Sequence, residues 1–142
     1  MPRPRYETAE DRRRERGVFD AIASAYNCQY QLAEDLAPFD GALHDSDGDV
    51  KALVEIKTRT NAHDKYPTYM LSATKCRNLF GIAQSYGVPA LLLVCFTDGV
   101  YATKLKAEYS TGVGGRYDRN DAYDVEQCVY IPIEQFKIVI EG

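Results

Sequence analysis

Apolar residues recur at three- and four-residue intervals through Val18, Phe19, Ile22, Ala23 and Tyr26, which predicts an amphipathic helix over about 6–26. Glu15 lies on the same stripe, one turn before Phe19, while Arg12, Arg13 and Arg16 fall largely elsewhere. An acidic residue tending toward an apolar face is either the solvated end of that face or a functional group. Strand character follows at Cys28–Leu32 and Phe39–His44, then a turn cluster at Asp45-Ser46-Asp47-Gly48-Asp49, then a strand over Val50–Thr58. The last three together read as a β-hairpin. A calcium loop counted from Asp45 fails, because Val50 stands where glycine is required and Ile56 where the bidentate glutamate is required.

Residues 60–70, rich in polar residues and tyrosine, predict a loop. Ser72 or Thr74 can then cap a helix running to Tyr86, with Leu79, Ile82, Ala83 and Tyr86 on its core face and Gly87 ending it. Ala90–Phe96 is a continuous apolar run of the length and β-branched content of a buried central strand. Asp98-Gly99 predicts a hairpin turn and Val100–Leu105 its return strand. The glycine-rich stretch 107–127 predicts a long loop, and Cys128–Ile133 and Phe136–Ile140 close the chain as a strand and a short terminal element. Two helices interleaved with strands predict a mixed α/β sheet flanked by helices.

With 142 residues, 45% of them hydrophobic, the chain is expected to fold as a single domain, 1–142, with a sizeable core. No apolar run approaches a membrane span, and residues 1–6, Met-Pro-Arg-Pro-Arg-Tyr, are charged and lack the apolar stretch of a signal peptide, so a cytoplasmic address is expected. The cysteines at 28, 76, 95 and 128 have no metal-ligand spacing and are not expected to form disulfides; Cys28, Cys95 and Cys128, in apolar surroundings, are expected as buried core residues. The net charge of −4 divides into +2 over residues 1–16 and −6 over the rest. An acidic total disfavours a protein that coats nucleic acid but not an enzyme that holds cations with carboxylates.

The chemistry concentrates between Pro38 and Thr58. Glu55 and Lys57 stand two apart, so on a strand they share one face, while Val54 and Ile56 take the other. Asp40, on the preceding strand, can lie close to Glu55 across the ladder. Such a charged face is either a metal site, with Asp40, Glu55 and the Ile56 carbonyl as oxygen donors, or an exposed edge carrying an ordinary Glu55–Lys57 ion pair.

Pro38-Phe39-Asp40 followed after fourteen residues by Glu55-Ile56-Lys57 resembles the PD-(D/E)xK nuclease superfamily, although its proline is not directly before the aspartate. The resemblance spans about 15–105, and it implies a restriction-endonuclease-like core, as in Holliday-junction resolvases. It further implies a Mg²⁺-dependent deoxyribonuclease, with Mn²⁺ as a substitute, serving DNA repair, recombination or phage DNA processing. In that likeness Asp40 and Glu55 bind the metal, Lys57 assists the water, and Glu15 of the first helix completes the site, with Glu10 and Asp11 as competitors. Junction-cutting relatives commonly work as dimers, so a homodimer is possible here.

Lys75, in the first turn of the second helix, joins Thr58, Arg59 and Lys65 as candidates for contacting the nucleic-acid backbone; each is otherwise an ordinary surface residue. Tyr66 and Tyr69 either stack on unpaired bases or pack the loop. Only His44 and His63 are present, with no serine placed for a hydrolase triad, and Gly112-Val113-Gly114-Gly115-Arg116 lacks the Lys-Ser/Thr ending of a phosphate loop. Two readings compete with a nuclease: a non-catalytic nucleic-acid-binding module with the same fold, and a nuclease subunit that needs a partner.

Overall fold

The computed structural model describes residues 17–24, 26, 28–32, 39–115 and 125–141. A helical segment at 17–24 (α1) is followed by β1 (Gln29–Leu32), β2 (Gly41–His44), β3 (Val50–Thr58), β4 (Thr68–Ser72) and α2 (Ala73–Tyr86). Then come β5 (Ala90–Phe96), β6 (Gly99–Lys104), β7 (Ser110–Gly115), β8 (Val125–Pro132), a short 3₁₀ turn at Ile133–Gln135 and β9 (Lys137–Glu141).

Six strands form a central mixed sheet in the order β1-β2-β3-β5-β6-β9. Its one parallel pair is β3–β5, with Glu55 opposite Leu92 and Lys57 opposite Val94. Alternation along β3 and β5 sends their side chains to two separate cores. On one face Leu43, Val54, Leu91 and Leu93 pack against Val18, Phe19, Ile22 and Ala23 of α1. On the other, Leu53, Leu92 and Val94 pack against Cys76, Leu79 and Ala83 of α2 and against a second sheet. That sheet has the order β4-β8-β7 and contributes Tyr69, Leu71, Val129 and Ile131. The expected α/β arrangement with a central mixed sheet is present. No helix among the described residues is long and apolar enough to cross a membrane.

Several local expectations change. Thr68–Ser72, expected as loop, is a strand because Tyr69 and Leu71 alternate inward and pair with β8. Part of the expected 107–127 loop is β7, whose glycines leave room for a neighbour. A Cβ on Gly112 would stand 2.8 Å from the Tyr130 ring. Tyr26 and Tyr86 are 48% and 62% exposed rather than on core faces. Tyr26 follows the end of the helical segment, and beyond Tyr86 the chain turns at Gly87 (φ 70°), so Val88 and Ala90 make the core contacts there. The β5–β6 hairpin turns on Thr97-Asp98, with Gly99 already paired to Phe96. Ser72, not Thr74, is the cap of α2 and accepts from the Lys75 N–H. Cys76, Cys95 and Cys128 are buried and Cys28 is half-buried.

Candidate active site

Glu55 and Lys57 project from β3 toward the α2 face of the sheet, as their alternation with Val54 requires. Asp40 sits just before β2 rather than within it. Its N–H donates to the Val54 carbonyl at 2.9 Å, and its Oδ2 accepts from the Ile56 N–H at 2.7 Å. These two bonds clamp β3 on either side of Glu55. The neighbour of Asp40 is Gly41, and a Cβ there would lie 2.8 Å from the Gln31 carbonyl oxygen and 3.0 Å from the Phe19 ring. Only glycine lets β1 and α1 close around this end of β2.

Glu55 is 3% exposed, one of two buried polar or charged residues among those described. Its Oε1 lies 2.6 Å from the Lys75 ammonium and 3.6 Å from that of Lys57. Burial, and then the negative charge of Asp40, raise the Glu55 pKa, while Lys75 and Lys57 pull it down. Burial and the neighbouring Lys75 charge lower the pKa of Lys57, which Glu55 opposes. Two carboxylates and two ammoniums thus share a largely desolvated spot at the carboxyl end of a parallel strand pair, where open α/β sheets commonly take ligands.

A carboxylate whose ionisation is opposed both by burial and by a second carboxylate is a place where an added cation lowers the energy. Asp40 and Glu55, with the Ile56 carbonyl, are the oxygen donors that could hold a hard divalent ion here. Glu15, and its competitors Glu10 and Asp11, lie outside the described residues.

The model of a family described as "Phage putative PDDEXK endonuclease" matches residues 1–139. The chain belongs to that family. No curated protein matches it. Among solved structures it is similar to Hjc, a Holliday junction resolvase of the archaeal hyperthermophile Archaeoglobus fulgidus. The likeness has a TM-score of 0.58 at 14% identity and covers 87% of this chain and 84% of that one. The fold of this endonuclease-family chain is therefore restriction-endonuclease-like.

The remaining candidate residues of this family member separate. Lys75 joins Glu55 instead of standing free at the helix N-terminus. Thr58, Arg59 and Lys65 are exposed. The Arg59 guanidinium lies over the Tyr69 ring, 4.8 Å from its centroid, and the Lys65 ammonium lies 5.4 Å from the centroid of Tyr66.

Tyr69, 5% exposed, feels both Arg59 and Glu55, and burial pushes its pKa up to about 12. The sequence signal for its buried strand position is the alternation of Tyr69 and Leu71 within Thr68–Ser72.

Two further groups can offer three metal-type ligands each among the described residues. Asp45, Asp47 and Asp49 form the exposed turn, where Asp45 Oδ1 accepts from the Asp47 and Asp49 N–H groups at 3.0 Å. His63 and Asp98, near Asp64, tie the 60–67 loop to the β5–β6 turn, with the His63 ring stacked on Tyr101 at 4.2 Å. Both groups are accounted for as turn and loop staples.

Proposed function

We propose that the protein is a divalent-metal-dependent endonuclease that hydrolyses phosphodiester bonds of DNA, with Mg²⁺ as the working ion and Mn²⁺ as a substitute. The observation that carries this reading is the buried Glu55 carboxylate, with Asp40 clamped beside it and Lys57 on the same face. Family membership and the likeness to a junction resolvase support a setting in DNA repair, recombination or phage DNA processing.

Asp40, Glu55 and the Ile56 carbonyl would hold the ion. Glu15 is proposed to join them; Phe19, four residues later, lays its ring against Gly41 beside Asp40. A bound divalent ion polarises a phosphoryl oxygen and lowers the pKa of water. Lys57, less basic than an ordinary lysine, orients the attacking water, and its neutral amine form accepts the water's proton at Nζ. Attack on phosphorus in line with the leaving oxygen then breaks the P–O bond, and the leaving oxygen takes up a proton from solvent water. Lys75 holds the Glu55 carboxylate in place, and Thr58, Arg59 and Lys65 face the nucleic-acid backbone.

The test is cleavage of single-stranded, duplex and branched DNA in Mg²⁺, Mn²⁺ or EDTA. The expected result is metal-dependent cutting that Glu55→Ala and Lys57→Ala each reduce by roughly 10²-fold or more. If the wild type cuts nothing that these variants fail to cut, the catalytic reading is lost. One observation favours a second reading, a non-catalytic nucleic-acid-binding module: the Lys75 ammonium already neutralises Glu55. Such a module binds DNA with the same affinity in EDTA and in Mg²⁺ and leaves it intact.

A further inference from the structure

Beside the candidate centre lies an open groove of about 380 Å³, whose wall includes Arg59, Tyr66, Tyr69, Met70 and Ile133. It continues the site along the same strand. Glu55, Lys57 and Arg59 are successive same-face positions, because the Arg59 N–H donates to the Cys95 carbonyl at 3.0 Å and extends the β3–β5 ladder one residue beyond Thr58. Arg59 is thus one strand repeat, roughly 6–7 Å, from Lys57.

We propose that this groove receives an unpaired nucleobase of the DNA, next to the phosphate that is cut, and so selects substrates containing unpaired nucleotides. The inference rests on the nuclease reading above and narrows its substrate class. Three observations carry it. Tyr66 and Met70 are 56% and 42% exposed, large apolar surfaces left in water beside a charged site. Cations interleave with the aromatic rings, Arg59 on Tyr69 and Lys65 on Tyr66, which is the pattern that binds a stacked base together with its phosphate. Finally, the volume lies within the ~300–1,000 Å³ typical of pockets for small organic groups.

An intact duplex cannot use such a groove, since its base faces are stacked and only base edges reach the surface. An extrahelical, flap or single-strand base offers a free π-face that any aromatic platform accepts.

The experiment uses the full chain in EDTA. It measures binding to a duplex carrying one unpaired 2-aminopurine, the fully paired duplex, and the same bulge with an abasic residue. On the proposal the wild type quenches 2-aminopurine fluorescence at the bulge and prefers that DNA to the paired and abasic forms. Tyr66→Ala weakens bulge binding by on the order of tenfold, Met70→Ala weakens it less, and Tyr66→Phe restores it. Binding of the paired duplex stays unchanged in all three variants. Equal affinity for bulged, paired and abasic DNA, or Tyr66→Ala indistinguishable from wild type at the bulge, overturns the groove assignment. Glu55-dependent cleavage of duplex DNA alongside that result leaves the nuclease reading standing. Tyr66-dependent quenching without any Glu55-dependent cleavage has the reverse meaning: the groove stands and catalysis falls.

Discussion

At Glu55 the nearest cation among the described residues is Lys75 of α2, at 2.6 Å, and the motif lysine stands a full ångström further away. Removing Lys75 leaves a buried carboxylate with one distant partner. Because Lys75 is about a quarter exposed, the cost is expected to be moderate, about 1–2 kcal/mol rather than that of a fully buried pair. Lys75→Met keeps the apolar stem, so the charge is what changes. Thermal melting in EDTA should fall, and Mg²⁺ should raise the melting point of the variant more than that of the wild type, since the ion replaces the lost charge. Equal Mg²⁺ responses count against a cation site at Glu55.

Tyr69 gives a second test at the same scale. Its folded pKa of about 12 exceeds the ordinary 10.0 of an unfolded chain, so the fold prefers the neutral phenol. That contribution is complete below pH 10 and is lost as pH rises toward 12. Two units correspond to roughly 2–3 kcal/mol. Urea unfolding of wild type and Tyr69→Phe should therefore diverge between pH 9 and 12, the wild type losing more; parallel curves would remove the buried phenol from the account.

Among the elements, β2 and β7 use glycine for different reasons, and the difference is measurable. At Gly41 an added methyl meets the Gln31 backbone oxygen and the buried Phe19 ring, neither of which can easily move. At Gly112 it meets the end of the Tyr130 side chain. Gly41→Ala is expected to cost about 1–3 kcal/mol, as overpacking does, and Gly112→Ala less. Equal denaturation midpoints for the two variants would contradict this ranking.

The same two strands mark how far the sequence could be read. The hairpin bearing the motif was legible because its turn residues and its apolar alternation agree, and Val50–Thr58 has the expected bounds. α2 and β5 were legible from period and run length. β4 is only five residues between Pro67 and a helix cap, too short for its alternation to stand out, and β7 is half glycine, so its strand state comes from pairing with β8 rather than from propensity. In the site, the Glu55–Lys57 relation followed from spacing alone. The Lys75 contact did not, because it depends on how a helix eighteen residues further along docks over the sheet.

For the molecule as a whole, the sheet separates two cores that serve different ends. Leu92 and Leu93 are adjacent and both fully buried, yet Leu92 belongs to the core beneath α2, opposite Glu55 in register, and Leu93 to the core beneath α1. Truncating either to alanine should cost a similar amount of stability, about 2–5 kcal/mol. Their effects on the site should differ. A cavity at Leu92 opens space on the face that buries Glu55, weakening the desolvation that is the chief cause of its raised pKa. The carboxylate should then ionise at lower pH. On the proposed role, Glu55 must be ionised to hold a cation, so activity is expected to fall as pH drops through its pKa, and in Leu92→Ala this acid limb should shift to lower pH. Leu93→Ala, with its cavity on the α1 side, should keep the wild-type limb despite its lost stability. The comparison is made from cleavage rates against pH, at saturating Mg²⁺ and well below both melting points. A limb that moves equally in the two variants would mean that general loosening, rather than burial of Glu55 by the α2 core, sets the ionisation of the site.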